Sequence, residues 1–299
     1  MIESNVGNNK YLKRLNETEI LNLIRTYRAI SKAELSQITG LSPTAVGIIV
    51  SGLIEKDYIH ETGVGDSNGG RRPVLYELKP HSFYSIGIDI DVDNMNAVLM
   101  DIAGNIIHED LISMPEDISF ESVINKVGDA VKGIMARYSK NKDDFLGLGI
   151  SVPGLVKSEI HKIIFAPNLN WRNISMESYL NNLPDIPVYV ENEAKASAIC
   201  EKWIGCCKDI ENFVCINMKS GIGAGIFIDG RLYKGVGGAA GEVGHIVVEE
   251  EGPRCGCGNY GCLETVAATG WIIEEVKKMV RKGTAPGLKD IEDLDSLSI

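Results

Sequence analysis

GEVGHIVVEEEGPRCGCGNYGCLE, residues 241–264, places His245, Cys255, Cys257 and Cys262 within eighteen residues. Three thiols and one imidazole at this spacing are the donor set of a closed, four-coordinate structural zinc site. Gly256, Gly258 and Gly261 stand between and beside the thiols, where a chain wrapping a metal has to turn tightly. Ordinary buried cysteines, or a disulfide in a secreted chain, are the other readings of such a run. A site with no open position acts as a brace and not as a Lewis acid, so no catalytic residue is assigned to it.

Glu242 and Glu264 flank these donors, one on each side. Carboxylates held rigidly by a metal-braced loop are suited to gripping sugar hydroxyls. The order Gly-Glu-x-Gly-His, nine residues, then Cys-x-Cys-Gly-x-x-Gly-Cys-x-Glu is similar to the signature of the ROK family of repressors, open reading frames and sugar kinases. The resemblance implies that Glu242, His245 and Glu264 touch a sugar, with His245 also on the metal. A metal on one imidazole nitrogen fixes the tautomer of the other.

Net charge is −11 over 299 residues, which alone argues against a nucleic-acid partner. The distribution alters that. Residues 1–82 carry ten basic and nine acidic side chains, so the acidity lies in the remainder. A near-neutral segment ahead of an acidic body fits a small polyanion-binding module joined to a separate domain. No run approaches the ~20 apolar residues of a membrane span, and the first residues lack an apolar signal core. Seven cysteines, an odd number, with four donors claimed by the metal site, suit a reducing cytoplasm. Cys200, Cys206, Cys207 and Cys215 are left as core or surface thiols.

Residues 1–82 read as a winged helix-turn-helix. Asn16 and Glu19 open an apolar-periodic helix through Ile20, Leu21, Leu23, Ile24 and Tyr27. Ser31 caps a second helix, Lys32 to Thr39, which Gly40 ends. Ser42 and Pro43 start a third, running to about Lys56. Ser42, Thr44, Ala45, Gly47 and Ile48 form its outward face, small enough to enter a major groove. A wing follows, with Tyr58-Ile59 and Val74 to Leu78 as strands. Arg71 and Arg72 at its tip, after two glycines, are suited to a narrow minor groove. Lys10, Lys13, Arg14, Arg25, Arg28, Lys32, Arg71 and Arg72 are few cations for tight binding at cellular salt, since each neutralised phosphate adds about one unit of salt slope. A homodimer on a two-fold operator is therefore expected.

From residue 83 the pattern becomes strands and helices. The β-β-β-α-β order resembles the actin-like ATPase (ribonuclease H-like) fold of sugar kinases: a two-lobed ROK domain over 83–299, with lobes 83–195 and 196–299. In ROK kinases the first hairpin reads Asp-x-Gly-Gly-Thr and wraps a phosphate. Here Asp89, Ile90, Asp91, Val92 and Asp93 stand in those positions. Two added carboxylates where a triphosphate would lie cost roughly 1–4 kcal/mol per contact. The second phosphate loop, Gly-Thr-Gly in kinases, is Lys219-Ser220-Gly221. The kinases' Asn-Asp, whose Asp acts as base, is Asn192-Glu193, one methylene longer. A misplacement of about 1 Å can cost on the order of 100-fold in rate. Asn168 in the Pro-Asn-Leu loop, with Asn192 and Glu193, is carried over as a sugar contact.

The resemblance thus implies a sugar-responsive DNA-binding repressor and not an enzyme, with an ATP-dependent sugar kinase as the alternative. The head and the altered phosphate loop are nearest to the branch that governs xylose genes, so xylose is the first expected effector, with glucose and N-acetylglucosamine behind it. Members of the family continue well past the last helix seen here, Thr269 to Lys282, so the ROK domain is expected to be C-terminally incomplete.

Overall fold

A segment rich in Leu, Lys, Arg and Glu propagates a helix without waiting for an apolar stripe. Accordingly, α1 (Asn9–Tyr27) starts well before the cap expected at Asn16, which lies inside it. The structure is a computed structural model that describes residues 9–65, 72–139 and 141–288. After α1 come β1 (Ile30–Ser31), α2 (Lys32–Thr39), α3 (Pro43–Glu55), β2 (Ile59–Val64) and β3 (Val74–Leu78).

The start of α2 is a complete capping box. Ser31 Oγ accepts from the Glu34 N–H at 3.3 Å, and Glu34 Oε2 accepts from the Ser31 N–H at 2.9 Å. Gly40 ends the helix in the left-handed region, at φ 69°. Ser42 Oγ then accepts from the Ala45 N–H at 3.2 Å to cap α3, with Pro43 at its first position. Gly40 and Ser42, two residues apart, turn the chain by 120° between α2 and α3. Ile20, Ile24, Leu35, Val46, Val50 and Ile59 close the core beneath them, all at most 1% exposed. β1 was not legible, since two residues carry no period; it pairs antiparallel with β3, which also pairs with β2.

The chain forms two compact units. The first comprises the described residues up to Ser85 together with Leu99–His108 and Asp143–Leu146. It therefore runs past the boundary expected at 82, because Ile102 and Ala103 pack against the core of the head. Those two residues sit on a turn organised by the buried Asp101, whose carboxylate accepts from the N–H groups of Ala103 and Asn105.

The second unit holds most of an α/β arrangement. A five-stranded sheet has the order β11-β7-β4-β5-β6, from β4 (Tyr84–Ile90), β5 (Asn94–Asp101), β6 (Ile106–Ser113), β7 (Phe145–Val152) and β11 (Val188–Asn192). β11 runs parallel to β7. Between β6 and β7 comes α4 (Phe120–Tyr138), capped by Ser119, with Val123, Val127, Val131 and Ile134 on its buried stripe. A small antiparallel sheet of β8 (Leu155–Lys157), β9 (Lys162–Ala166) and β10 (Trp171–Ser175) delivers Pro167 and Asn168 at the end of β9.

α5 (Glu193–Trp203) follows β11 directly. It packs on β12 (Phe213–Met218) and β13 (Ile222–Ile228), which are joined antiparallel and extended by β14 (Arg231–Leu232). The contact is close: a Cβ at Gly223 would come 2.9 Å from the Cβ of Ala194, and one at Gly225 would strike Ala198. The expected lobe boundary at 195/196 falls inside α5, which packs along its length on these strands. α6 (Glu264–Ala267) and α7 (Thr269–Arg281) come last. Among the described residues no single helix is long and apolar enough to cross a membrane.

Leu35→Ala is expected to cost about 2–5 kcal/mol, and Ser31→Ala about 1 kcal/mol, in urea unfolding curves. A Leu35→Ala loss below that of the cap would show that this core is not packed as described.

Candidate functional site

Four soft donors meet at one point. His245 Nδ1 and the thiols of Cys255, Cys257 and Cys262 all lie within 4.8 Å of one another. Cys257 Sγ and Cys262 Sγ are 3.7 Å apart, and Cys255 Sγ is 3.6 Å from His245 Nδ1. A tetrahedron with metal–sulfur bonds near 2.3 Å sets sulfurs about 3.8 Å apart. The donor set therefore fits a four-coordinate zinc. Burial pushes the Cys255 thiol up to about 12, so a thiolate at this buried position needs a cation beside it. The loop doubles back through isolated bridges, Val247 to Cys262 and Arg254 to Tyr260. Gly261 makes this possible: it sits at φ 64°, and a Cβ there would collide with the carbonyl oxygen of Glu249.

The same fold-back lines a cavity of about 260 Å³ with Asn168, Asn192, Glu193, Glu242, His245 and Glu264. The structure thus brings together all six side chains singled out in the sequence. Pro153, Gly154, Phe165 and Ile222 add apolar wall. Two of the polar groups also hold the frame. Asn192 caps α5 by accepting from the Lys195 N–H at 3.1 Å, and its amide donates to the Gly154 carbonyl at 3.0 Å. Glu264 Oε2 accepts from the Ile222 N–H at 3.1 Å. His245 presents Nδ1 to the thiols while Nε2 lies 3.8 Å from Glu242 Oε2.

Glu193 is almost fully buried, and its carboxyl is pushed up to about 7. Burial is the main cause; Asp89 and Asp91 add to it, Lys219 opposes, and Glu264 adds slightly. The acidic hairpin between β4 and β5 is tied down. Lys219 Nζ meets Asp89 Oδ2 at 2.7 Å, and Ser151 Oγ donates to Asp89 Oδ1 at 2.6 Å. Ser220 Oγ donates to Asp91 Oδ1 at 2.8 Å. The carbonyl of Asp93 accepts from the Met114 N–H.

Sequence reasoning missed Lys195. Its side chain is 1% exposed, donates to the Gly238 carbonyl at 2.8 Å and lies 4.0 Å from Glu242 Oε1. Burial pushes its ammonium down, opposed by Glu242 and Glu191. No signal in the sequence marks it, because a lysine on an amphipathic helix reads as solvated.

On the head, Ser42, Thr44 and Ile48 are exposed on α3, while Ala45 and Gly47 are half-buried. Lys13, Lys32 and Lys56 border the same face around Thr44, Gly47 and Ile48. Arg72 is exposed; Arg71 lies outside the described residues.

The raised value at Glu193 means that its protonated form favours the folded state. That contribution is complete below the ordinary value of 4.5 and is lost as pH rises through about 7. Glu193→Gln is expected to leave the melting temperature nearly unchanged at about pH 4, below the ordinary value, and to raise stability at pH 8 by up to roughly 3 kcal/mol. An equal effect at both pH values would rule out a buried, proton-holding carboxyl.

The comparisons with known proteins agree with this architecture. A profile of the ROK family matches residues 85–294. The xylose repressor of Bacillus spizizenii is 35% identical over 98% of this chain and 76% of its own length. Among solved structures, a ROK family transcriptional regulator, a homolog of the E. coli MLC protein, superposes with a TM-score of 0.76 at 29% identity, over 97% of this chain and 72% of that one. A ROK family glucokinase from Streptomyces griseus, in complex with glucose and AMPPNP, gives 0.64 at 28% identity, over 72% of this chain and 68% of that one. With its thiol–imidazole loop, its α/β frame and a profile match over most of its length, the chain belongs to the ROK family.

Proposed function

We propose that this chain is a sugar-responsive transcriptional repressor. The observation that carries the reading is the convergence of Asn168, Glu193, Glu242, His245 and Glu264 on one cavity beside a four-donor metal cluster. Carboxylates and an amide around a small, half-apolar cavity are acceptors and donors for the hydroxyls of a sugar ring. Residues 1–82 are the DNA-binding domain, a winged helix-turn-helix. Residues 83–299 are the sugar-binding ROK domain, of the actin-like, ribonuclease H-like class.

His245, Cys255, Cys257 and Cys262 would hold a zinc ion, which would supply stiffness and fix the imidazole tautomer. His245 then offers Nε2 to the sugar, and Glu242, held by the buried Lys195, accepts a hydroxyl next to it. Asn168 and Glu264 complete the ring of contacts, with Asn192 holding the floor. Xylose is the proposed effector, in keeping with the xylose repressors it resembles. A sugar that binds one of two states better shifts the protein toward it and so lowers its affinity for operator DNA. Ser42, Thr44, Ala45, Gly47 and Ile48 enter the major groove, with Arg71 and Arg72 at the minor groove, in a homodimer on a two-fold site.

Phosphoryl transfer is not part of this reading. Asp89 and Asp91, tied to Lys219 and Ser220, stand where a kinase cradles phosphates, and a nucleotide there would meet two carboxylates. The likeness to a glucokinase keeps a sugar kinase as the second reading.

Xylose is expected to raise the melting temperature and to weaken operator binding in the same titration, with glucose and N-acetylglucosamine as the comparison sugars. If no sugar moved either signal, the effector role would be lost, and sugar-dependent ADP release at about 1 per second or more would favour the kinase. Chelation is expected to lower sugar affinity by about 10–100-fold while leaving the head folded. Ile48→Glu is expected to abolish operator binding without changing sugar affinity; unchanged operator binding would move the DNA face elsewhere.

A further inference from the structure

The four cysteines outside the 241–264 loop do not scatter. Cys206 Sγ and Cys207 Sγ are 3.7 Å apart, the same separation as Cys257 and Cys262 in the metal-binding loop. Cys206 Sγ lies 3.2 Å from Glu201 Oε2, and all three donor atoms fall within 4.8 Å of one another. The Cys215 thiol is close enough to feel the charges of Glu201, Cys207 and Cys200. The backbone holds this arrangement in place: Glu201 Oε2 accepts from the Cys206 N–H at 2.9 Å, and the Glu201 carbonyl accepts from the Cys207 N–H at 3.1 Å. Gly205 leaves the space for it, since a Cβ there would strike the Glu201 carboxylate. Cys206 is exposed and Cys207 half-buried, so the cluster is open to solution.

We propose that Glu201, Cys206 and Cys207 form a second metal site, distinct from the 241–264 loop, for a divalent thiophilic cation of the Zn²⁺ or Cd²⁺ class. Sulfurs 3.7 Å apart match the edge of a tetrahedron around such a metal, about 3.8 Å. Two thiolates exclude hard cations such as Ca²⁺ and Mg²⁺, and the carboxylate favours a borderline divalent ion over Cu(I). Binding releases the two thiol protons to solvent and involves no change of oxidation state. The fourth position is left to water or to a neighbouring thiol. An ion there clamps the C-terminal turn of α5 to the segment that leads into β12. The first turn of the same helix carries Asn192 and Glu193, so occupancy at one end stiffens the element that floors the cavity at the other.

The test is metal stoichiometry on the reduced 299-residue chain. Dialysis against Cd²⁺, followed by elemental analysis and the ultraviolet sulfur-to-cadmium band, is expected to give two equivalents per chain. Cys206→Ser with Cys207→Ser is expected to give one. Glu201→Gln is expected to weaken the second equivalent by at least about 10-fold without touching the first. A wild-type chain that takes up only one equivalent, lost on Cys257→Ser and kept in the Cys206→Ser, Cys207→Ser variant, overturns the proposal. So does a chain that joins Cys206 to Cys207 as a disulfide, two hydrogens lighter, and takes up no metal there when reduced. If the 241–264 site were the one that failed, the single equivalent would instead survive Cys257→Ser and vanish in the Cys206→Ser, Cys207→Ser variant. Melting curves check that each variant is folded.

Discussion

Three sulfurs and one ring nitrogen confined within 4.8 Å constrain everything around them. To meet there, the chain from Gly241 to Glu264 has to reverse on itself, and Gly261 is the residue that lets it pass the Glu249 carbonyl. Reversal carries Glu242 and Glu264 from opposite ends of the stretch to one cavity wall. Cys255 and Cys262 are buried, and a buried thiolate without a cation is costly. The loop that shapes the cavity is therefore one whose stability is linked to what its sulfurs hold.

The charge distribution of the cleft follows from the same geometry. Glu193 is buried near Asp89, Asp91 and Glu264, and its proton is held well above the usual carboxylate range. The cations near these acids do structural work. Lys219 closes on Asp89, and Lys195 is buried between the Gly238 carbonyl and Glu242. Among the described residues, the site is rich in hydrogen-bond acceptors, and Lys195 and Lys219 are both engaged. That combination suits polyhydroxy ligands and disfavours phosphates.

α5 connects these features. Its cap, Asn192, is also the tether to Gly154; small residues along it let β12 and β13 approach closely; and its last turn presents Cys200 and Glu201. Cys200, Cys206, Cys207 and Cys215, expected as core or surface thiols, are all exposed or half-buried, in keeping with the surface reading, and Cys206 and Cys207 meet Glu201 at this end of the helix.

Much was legible beforehand because it is local chemistry. Caps at Ser31 and Ser42, the Gly40 stop and the donor spacing of 245–262 depend on residues a few positions apart, and each appears where expected. Asn16 was misjudged because a cap residue is also tolerated inside a helix whose neighbours propagate it. β1 and the β8–β10 sheet are too short to show a period. Chain order by itself determined which residues could bind a metal, and that Asp89, Asp91 and Asp93 stand in the first hairpin. Only the tertiary structure decided that Lys195 is buried against Glu242, that Lys219 and Ser220 close on Asp89 and Asp91, and that Cys206 and Cys207 meet Glu201. Those contacts join elements whose packing no local pattern encodes, since burial is a property of what lands on a side chain and not of its neighbours in sequence.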